Sequence, residues 1–154
     1  MAGLSSIYGL ANAIGEINRD LYPVYTRKSI EDNQSEIIDL NVSQLYDEGM
    51  TRLGVKIWDY APYSPYTQQV KEELGQPYDR VTLRDTGAFH ESFTLRIDQD
   101  GFDITAMDPK TGMLVEKYGP EIFGLTDQNL SYIATWIVYP DIMKQIRNKI
   151  YGTT

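Results

Sequence analysis

The chain has no cysteine and only one histidine, His90, which excludes several kinds of chemistry at once. Without cysteine there are no disulfides, no thiolate metal sites and no cysteine nucleophile. A lone histidine does not make a zinc site, and neighbouring residues such as His90, Glu91 and Ser92 point apart, so they cannot form a catalytic triad. No phosphate-binding loop or dinucleotide fingerprint is present. We therefore expect no cofactor, no metal and no enzymatic activity.

Long apolar runs are also missing. No stretch approaches the ~18 apolar residues of a membrane-spanning helix. The first Lys or Arg is Arg19, so the basic start of a signal peptide is lacking. The sequence predicts a soluble protein that is made in the cytoplasm and does not enter a membrane.

Positive charge is scarce. Fourteen Lys and Arg residues stand against 22 Asp and Glu, giving a net charge of −8. This balance argues against extensive direct binding of nucleic acid, whose phosphates need cationic neutralisation. The charge is uneven: Lys144, Arg147 and Lys149 against Asp141 give +2 in residues 141–154, so the preceding residues carry −10. A basic end on an acidic body suits head-to-tail contact between copies, although a solvated helix end explains it equally well.

Tyrosine is abundant, with twelve residues against four Phe and two Trp. Tyrosine covers apolar area and keeps a polar tip, which favours surfaces that a partner buries. Two prolines among three tyrosines predict an extended loop over residues 59–67. Our candidate interface residues lie around this loop and at the basic end: Trp58, Tyr60, Tyr63, Tyr66, Lys144, Arg147 and Lys149. The alternative is that the tyrosine rings fold back on the body and roof its core.

Hydrophobic periodicity predicts helices at both ends of the chain. Apolar residues recur every three or four positions over 4–21, where Pro23 is expected to end the helix, and the polar segment 27–36 is typical of a linker. A second helical region begins at Thr126 and is expected to kink, or to start again, at Pro140. The remaining predicted elements are a short strand at 37–40, a short helix at 71–75 and another at 114–118.

Strict alternation of apolar and polar residues predicts a β-hairpin over 93–106, with its turn at 98–101. The Asp and Gly residues of this turn explain its carboxylates better than a calcium site does. We predict a single α+β domain: an antiparallel sheet that contains the hairpin, packed by the N- and C-terminal helices. Its parts are a helical N-terminal arm (1–34), a sheet-containing core (35–125) and a C-terminal helical region (126–152).

The triplet Asp85-Thr86-Gly87 supports two hypotheses. It matches the loop of an aspartic protease, which would require a homodimer because two such carboxylates must share a proton. Arg84 stands where that pattern has an apolar residue. Alternatively, the triplet is a turn that leads into the sheet, with Gly87 supplying backbone freedom.

From residue 83 onward the order of features resembles the tail-completion and neck proteins of long-tailed bacteriophages. The features that carry this resemblance are Thr86-Gly87, Phe89, Ser92, the hairpin 93–106 and Tyr118-Gly119. Residues 41–129 are also similar to uncharacterised proteins encoded by phages and prophages of gut bacteria, notably at 75–77, 79–83 and 122–126. Glu116-Lys117 stand where His-Gln is common in the tail-completion proteins.

The resemblance implies a virion structural or assembly protein, found in the virion and made in the host cytoplasm. Such a protein would form a homo-oligomeric ring at the head–tail junction or tail terminus and would bind other neck, connector or tail proteins. Two alternatives remain open at this stage. One is an acidic DNA mimic that inhibits a host nuclease or repressor, and the other is a homodimeric aspartic protease acting through Asp85.

Overall fold

The computed structural model describes residues 21–99 and 101–152, which divide into two compact units. The larger unit is Gln34–Leu130, and the smaller one combines the described residues on either side of it, 21–33 and 131–152. The expected helix over 4–21 lies almost wholly outside the described residues. The single-domain interpretation stays a prediction, and each unit is described by itself below.

The elements follow one another in a mixed order that confirms the α+β class. The helices and strands are α1 (Leu21–Asp32), α2 (Gln34–Ser43), α3 (Pro65–Glu73), α4 (Ala88–Glu91), β1 (Phe93–Ile97), β2 (Phe102–Ala106), α5 (Thr111–Tyr118), α6 (Asp127–Tyr132) and α7 (Tyr139–Tyr151). Short 3₁₀ turns lie at Ile57–Asp59 and Pro120–Ile122, and π-helical segments at Gln44–Glu48 and Ile133–Val138. No helix in the described ranges has both the length and the apolar character to cross a membrane.

The predicted hairpin is confirmed, with β1 antiparallel to β2 and Leu95 opposite Ile104. Its turn is closed by two bonds: the Asp98 N–H donates to the Gly101 carbonyl, and the Gly101 N–H donates to the Asp98 carboxylate, each at 2.9 Å. Phe93, Ile104 and Ala106 are buried on one face. The local alternation of apolar and polar residues is therefore enough to specify this element.

Helix α2 replaces the short strand predicted at 37–40, so that prediction was wrong. The buried positions of the helix and its π-helical continuation are Ile37, Asn41, Gln44 and Leu45, which follow helical spacing. Two of them are polar, which concealed the stripe from a search for apolar residues. Gly49, with φ of 62°, ends the π-helical segment.

Two side-chain amides fasten α2 to the segment 122–126. Asn41 donates to the Ile122 carbonyl at 3.1 Å and accepts from the Gly124 N–H at 2.9 Å. Gln44 donates to the Gly124 carbonyl at 3.2 Å and accepts from the Thr126 N–H at 2.9 Å. Both amides are buried and bonded at both ends, as buried polar groups must be.

An aromatic cluster fills the core between α4 and the sheet. Phe93 lies edge-on to Phe89 at 5.1 Å between ring centroids and to Phe123 at 5.3 Å. The other buried apolar residues of the larger unit are Ile37, Leu45, Ile57, Val81, Leu83, Ile104, Ala106, Tyr118, Ile122 and Leu125. This core holds the loop 83–87 and helix α5 in place around the candidate site.

In the smaller unit, α1 corrects two sequence predictions. Pro23 lies inside the helix rather than ending it, because its fixed φ is compatible with helical backbone. The segment expected to be a linker is largely helical; its charges pair one turn apart, Arg27 with Glu31 at 3.1 Å and Lys28 with Asp32 at 2.8 Å. A polar composition here reflects a solvated helix.

The backbone stays helical from the π-helical segment Ile133–Val138 into α7, and Pro140 lies in the first turn of α7, the position predicted for it if a helix begins there. Thr126 accepts a hydrogen bond from the Asn129 N–H at 3.3 Å and so caps α6 as predicted. Within the smaller unit, the Asp141 carboxylate accepts hydrogen bonds from the Ser29 hydroxyl at 2.6 Å and the Asn33 amide at 3.1 Å. These bonds join α7 to α1.

Candidate functional site

A groove of about 370 Å³ lies within the larger unit, between α3, the loop 83–89 and α5. Its walls are mainly apolar and include Val70, Leu74, Leu83, Phe89, Met113 and Leu114. Leu74 and Met113 are 64% and 59% exposed, so part of the apolar lining faces solvent. This size and lining are typical of sites that bind small molecules or single side chains.

Helix α3 forms one wall because its first turn is well specified. Ser64 caps the helix by accepting a hydrogen bond from the Thr67 N–H at 3.1 Å, and Pro65 occupies the first helical position. The helix therefore starts at Pro65, which lies inside the predicted loop 59–67 and well before the predicted helix start at residue 71. It ends at Glu73. The extended loop is shorter than predicted, since proline at this position favours a helix start.

The tyrosines of this region have three different environments. Tyr63 is partly buried: its hydroxyl accepts from the Thr82 N–H at 3.0 Å, and Trp58 lies edge-on to its ring at 6.2 Å. The Tyr60 hydroxyl donates to the Tyr118 carbonyl at 2.7 Å, although the residue is 48% exposed. Tyr66, at the rim of the groove, is 76% exposed. Among these candidates, Tyr66 is the tyrosine best placed to meet a partner.

Asp85-Thr86-Gly87 forms a bend that leads into α4, and the sheet follows it. Gly87 has φ of 99°, a conformation that side chains rarely adopt, so the glycine is required by the turn. The Asp85 carboxylate is exposed and lies 3.3 Å from the Lys110 ammonium. The charged partner of Asp85 in this chain is therefore Lys110, the residue that precedes α5, whereas a protease dyad needs a second carboxylate. The geometry of one chain favours the turn hypothesis.

Lys71 is a buried charged residue that was not among the candidate site residues predicted from the sequence. It is only 8% exposed, and its ammonium donates to the Arg84 carbonyl at 2.6 Å and to the Gln76 side-chain oxygen at 3.0 Å. The ammonium also lies 5.1 Å from the centre of the Tyr63 ring. Within the described ranges no carboxylate lies close enough to pair with it. A buried cation usually has such a partner, so Lys71 is unusual.

The residue next to that carbonyl is strained. Leu83 has φ of 53° and is the one described non-glycine residue in the left-handed region. A branched side chain there costs on the order of 1–2 kcal/mol, and such strain clusters at binding sites. Strain, a buried cation and an apolar groove therefore coincide on one side of the larger unit.

His90 lies in the aromatic core rather than in this groove. It is 8% exposed, its ring is 5.8 Å from Phe93, and its Nε2 atom has no hydrogen-bond partner within the described chain. Burial lowers the pKa of His90 to about 4, despite a hydrogen bond to the Thr82 backbone that opposes the shift. The structure does not bring it together with a nucleophile, which agrees with a structural role.

A second candidate surface runs along the C-terminal helices. Trp136, Lys144, Arg147 and Tyr151 are exposed and follow one another at near-helical spacing, so we name them the aromatic–basic face. Trp136 is 69% and Tyr151 66% exposed. Lys149 is also exposed, but it lies on the opposite side of α7 from this face. Lys144, Arg147 and Lys149 were predicted interface residues, whereas Trp136 was missed because its apolar neighbours suggested a buried helix.

Comparisons of the chain with family models, curated proteins and solved structures found no match. Within the described ranges, no cluster of three or more acidic or histidine side chains is arranged to hold a metal. The two surfaces with distinctive chemistry are the groove beside Lys71 and the aromatic–basic face.

Proposed function

We propose that this chain is a structural or assembly protein of a bacteriophage virion, acting by protein–protein contacts without catalysis. The observation that carries the proposal is the aromatic–basic face, where Trp136 and Tyr151 are about two-thirds exposed beside Lys144 and Arg147. Trp, Tyr and Arg are the residue types that dominate binding energy at protein interfaces. The resemblance of residues 83–119 to tail-completion proteins supports the particular role in the neck or tail.

Charge supports the contact between copies. The face is cationic, whereas the chain as a whole carries −8. A basic surface on one copy that meets an acidic surface on the next is a heterologous contact, and such contacts close into rings when the rotation allows. This charge distribution supports the proposed homo-oligomeric ring at the head–tail junction or tail terminus.

The direct experiment uses a phage that encodes this chain. Replacing the codon of Leu45 by a stop codon should give full heads and separate tails that do not join, as seen by electron microscopy, because the connecting ring is missing. Supplying the wild-type chain from a plasmid should restore joined particles. Joined, infectious particles without the chain would contradict the proposal.

A second experiment assigns the contact to the face. The double variant Trp136→Ser, Arg147→Glu should fail to restore joined particles and should lower the mass of the assembly in light scattering. The matched control is Tyr78→Ser, Lys56→Glu, which changes the same residue classes at exposed positions of the larger unit. Equal loss of function in both variants would remove the face from the proposal while leaving the virion role to the first experiment.

A further inference from the structure

We propose that the groove beside Lys71 is a binding site for a small carboxylate with an apolar body, such as a medium-chain fatty acid. This inference does not depend on the virion role, and all of its residues lie in the larger unit. Its volume of about 370 Å³ falls in the range of small-molecule sites. The occupant is defined by two features: apolar walls and one buried cation without a carboxylate partner.

The walls determine the apolar part of the ligand. Val70, Leu74, Met113 and Leu114 line the groove on both sides, and two of these residues are more than half exposed. Covering such surface is favourable in proportion to the apolar area removed from water. An alkyl chain that lies between α3 and α5 would cover this lining.

Lys71 determines the polar end of the ligand. Its ammonium has three N–H groups, two of which are bonded to neutral oxygens, those of Arg84 and Gln76. Neutral acceptors leave the positive charge uncompensated, and an entering carboxylate would compensate it with a charge-assisted hydrogen bond. Lys71 is itself among the groove-lining residues, and the two carboxylates that also line the groove have partners: Asp85 pairs with the Lys110 ammonium at 3.3 Å, and Asp108 accepts from the Lys110 N–H at 2.7 Å.

The protein holds this cation in place from two directions. The Arg84 carbonyl that accepts from Lys71 directly follows the strained residue Leu83, and Gln76 donates in turn to the Asp85 carbonyl at 3.1 Å. The end of α3 and the loop 83–85 are therefore fixed to each other around the ammonium. A site arranged before its ligand arrives loses little entropy on binding.

The test is calorimetric titration with decanoate and, as the matched cationic probe, decyltrimethylammonium. Wild type should bind decanoate saturably and at least about tenfold more tightly than the cation, since a hydrogen bond to a charged group contributes that much. Lys71→Met should lose the preference, whereas Lys117→Met, a control on the exposed side of α5, should keep it. Absence of saturable decanoate binding to wild type, or an undiminished preference in folded Lys71→Met, overturns the proposal.

Val70→Trp provides a second, independent test because it fills the groove without touching the cation's hydrogen bonds. Decanoate affinity should fall by at least about tenfold in this variant while Trp136→Ser retains it. If Lys71→Met does not fold, the wild-type preference together with Val70→Trp decides the matter. An assembly in light scattering that dissociates in Val70→Trp would show that a second copy occupies the groove, and would overturn the small-molecule proposal.

Discussion

At the scale of single residues, two buried amide side chains have a structural role. The amides of Asn41 and Gln44 satisfy backbone groups of the segment 122–126, and both are buried. Removing one such partner leaves buried donors and acceptors unpaired, which costs more than the hydrogen bond itself contributed.

Asn41→Leu should lower the free energy of unfolding by about 2–4 kcal/mol, because the Ile122 carbonyl and the Gly124 N–H both lose their partner. Urea denaturation followed by circular dichroism measures this change. The exposed Gln128→Leu is the control and should shift stability by less than about 0.5 kcal/mol. Equal effects in the two variants would show that the amide bonds contribute little.

Tyr63 and Tyr66 separate a ring that belongs to the fold from one that faces solvent. Tyr63→Phe should cost about 1–3 kcal/mol, since the N–H of the fully buried Thr82 would lose its acceptor. Tyr66→Phe should leave stability unchanged, because Tyr66 is 76% exposed. The comparison uses urea midpoints. A neutral Tyr63→Phe would return that residue to the set of interface candidates.

His90 makes stability depend on pH. Its pKa is about 4 when folded and about 6.5 when unfolded, so the unfolded chain binds more protons between these values. Stability should therefore fall as the pH falls from 6.5 to 4, by about 3 kcal/mol from this residue. In His90→Phe this contribution should vanish, as urea titrations at pH 7 and pH 4 would measure. Parallel pH dependence in both proteins would contradict the assignment.

At the scale of elements, local patterns predicted what depends on local interactions. The hairpin followed from alternation, and the cap at Thr126 followed from residue type. Helix α2 could not be found in this way, because Asn41 and Gln44 hide its buried stripe and Ile37 and Ile38 resemble a strand. The polar stretch in α1 was likewise misjudged, because the charged residues on its exposed side concealed the buried Ser29 and Ile30.

The helix cap at Ser64 gives a prediction for one wall of the groove. Ser64→Ala should lower stability by about 1 kcal/mol, because the Thr67 N–H loses its acceptor. Ser64→Asp should restore most of it, as aspartate caps equally well. Thermal unfolding of the three proteins measures both effects. If Asp does not rescue, the serine acts through something other than capping.

At the scale of the whole molecule, the groove lay beyond sequence reasoning. Its lining comes from residues 63–76, 83–89 and 108–118, and only long-range packing brings these segments together. Of the interface candidates, Lys144, Arg147, Lys149 and Tyr66 are exposed, whereas Tyr63 is tied to the core and Trp58 is half-buried against it; their role at an interface stays a prediction. Composition indicates which residue types are available and leaves their grouping to the fold.

The overall charge gives a prediction about nucleic acid. With a net charge of −8 and only a small basic face in the described part of the chain, the protein should bind duplex DNA more weakly than ~10⁻⁴ M at physiological salt. An electrophoretic mobility shift with a random duplex checks this. A shift at micromolar protein that disappears at higher salt would mean that the face of α7 contacts phosphates and would redirect the search for partners.

The hydrogen bonds of the Asn41 and Gln44 amides determine how the backbone of the segment 122–126 is satisfied. Asn41 and Gln44 engage the backbone at residues 122, 124 and 126, every second position, each offering one donor and one acceptor. This is the pattern that the edge of a neighbouring strand would present. The side chains of Asn41 and Gln44 thus satisfy this backbone as a strand edge would, although Gly124, with φ of 103°, keeps the segment from being a strand.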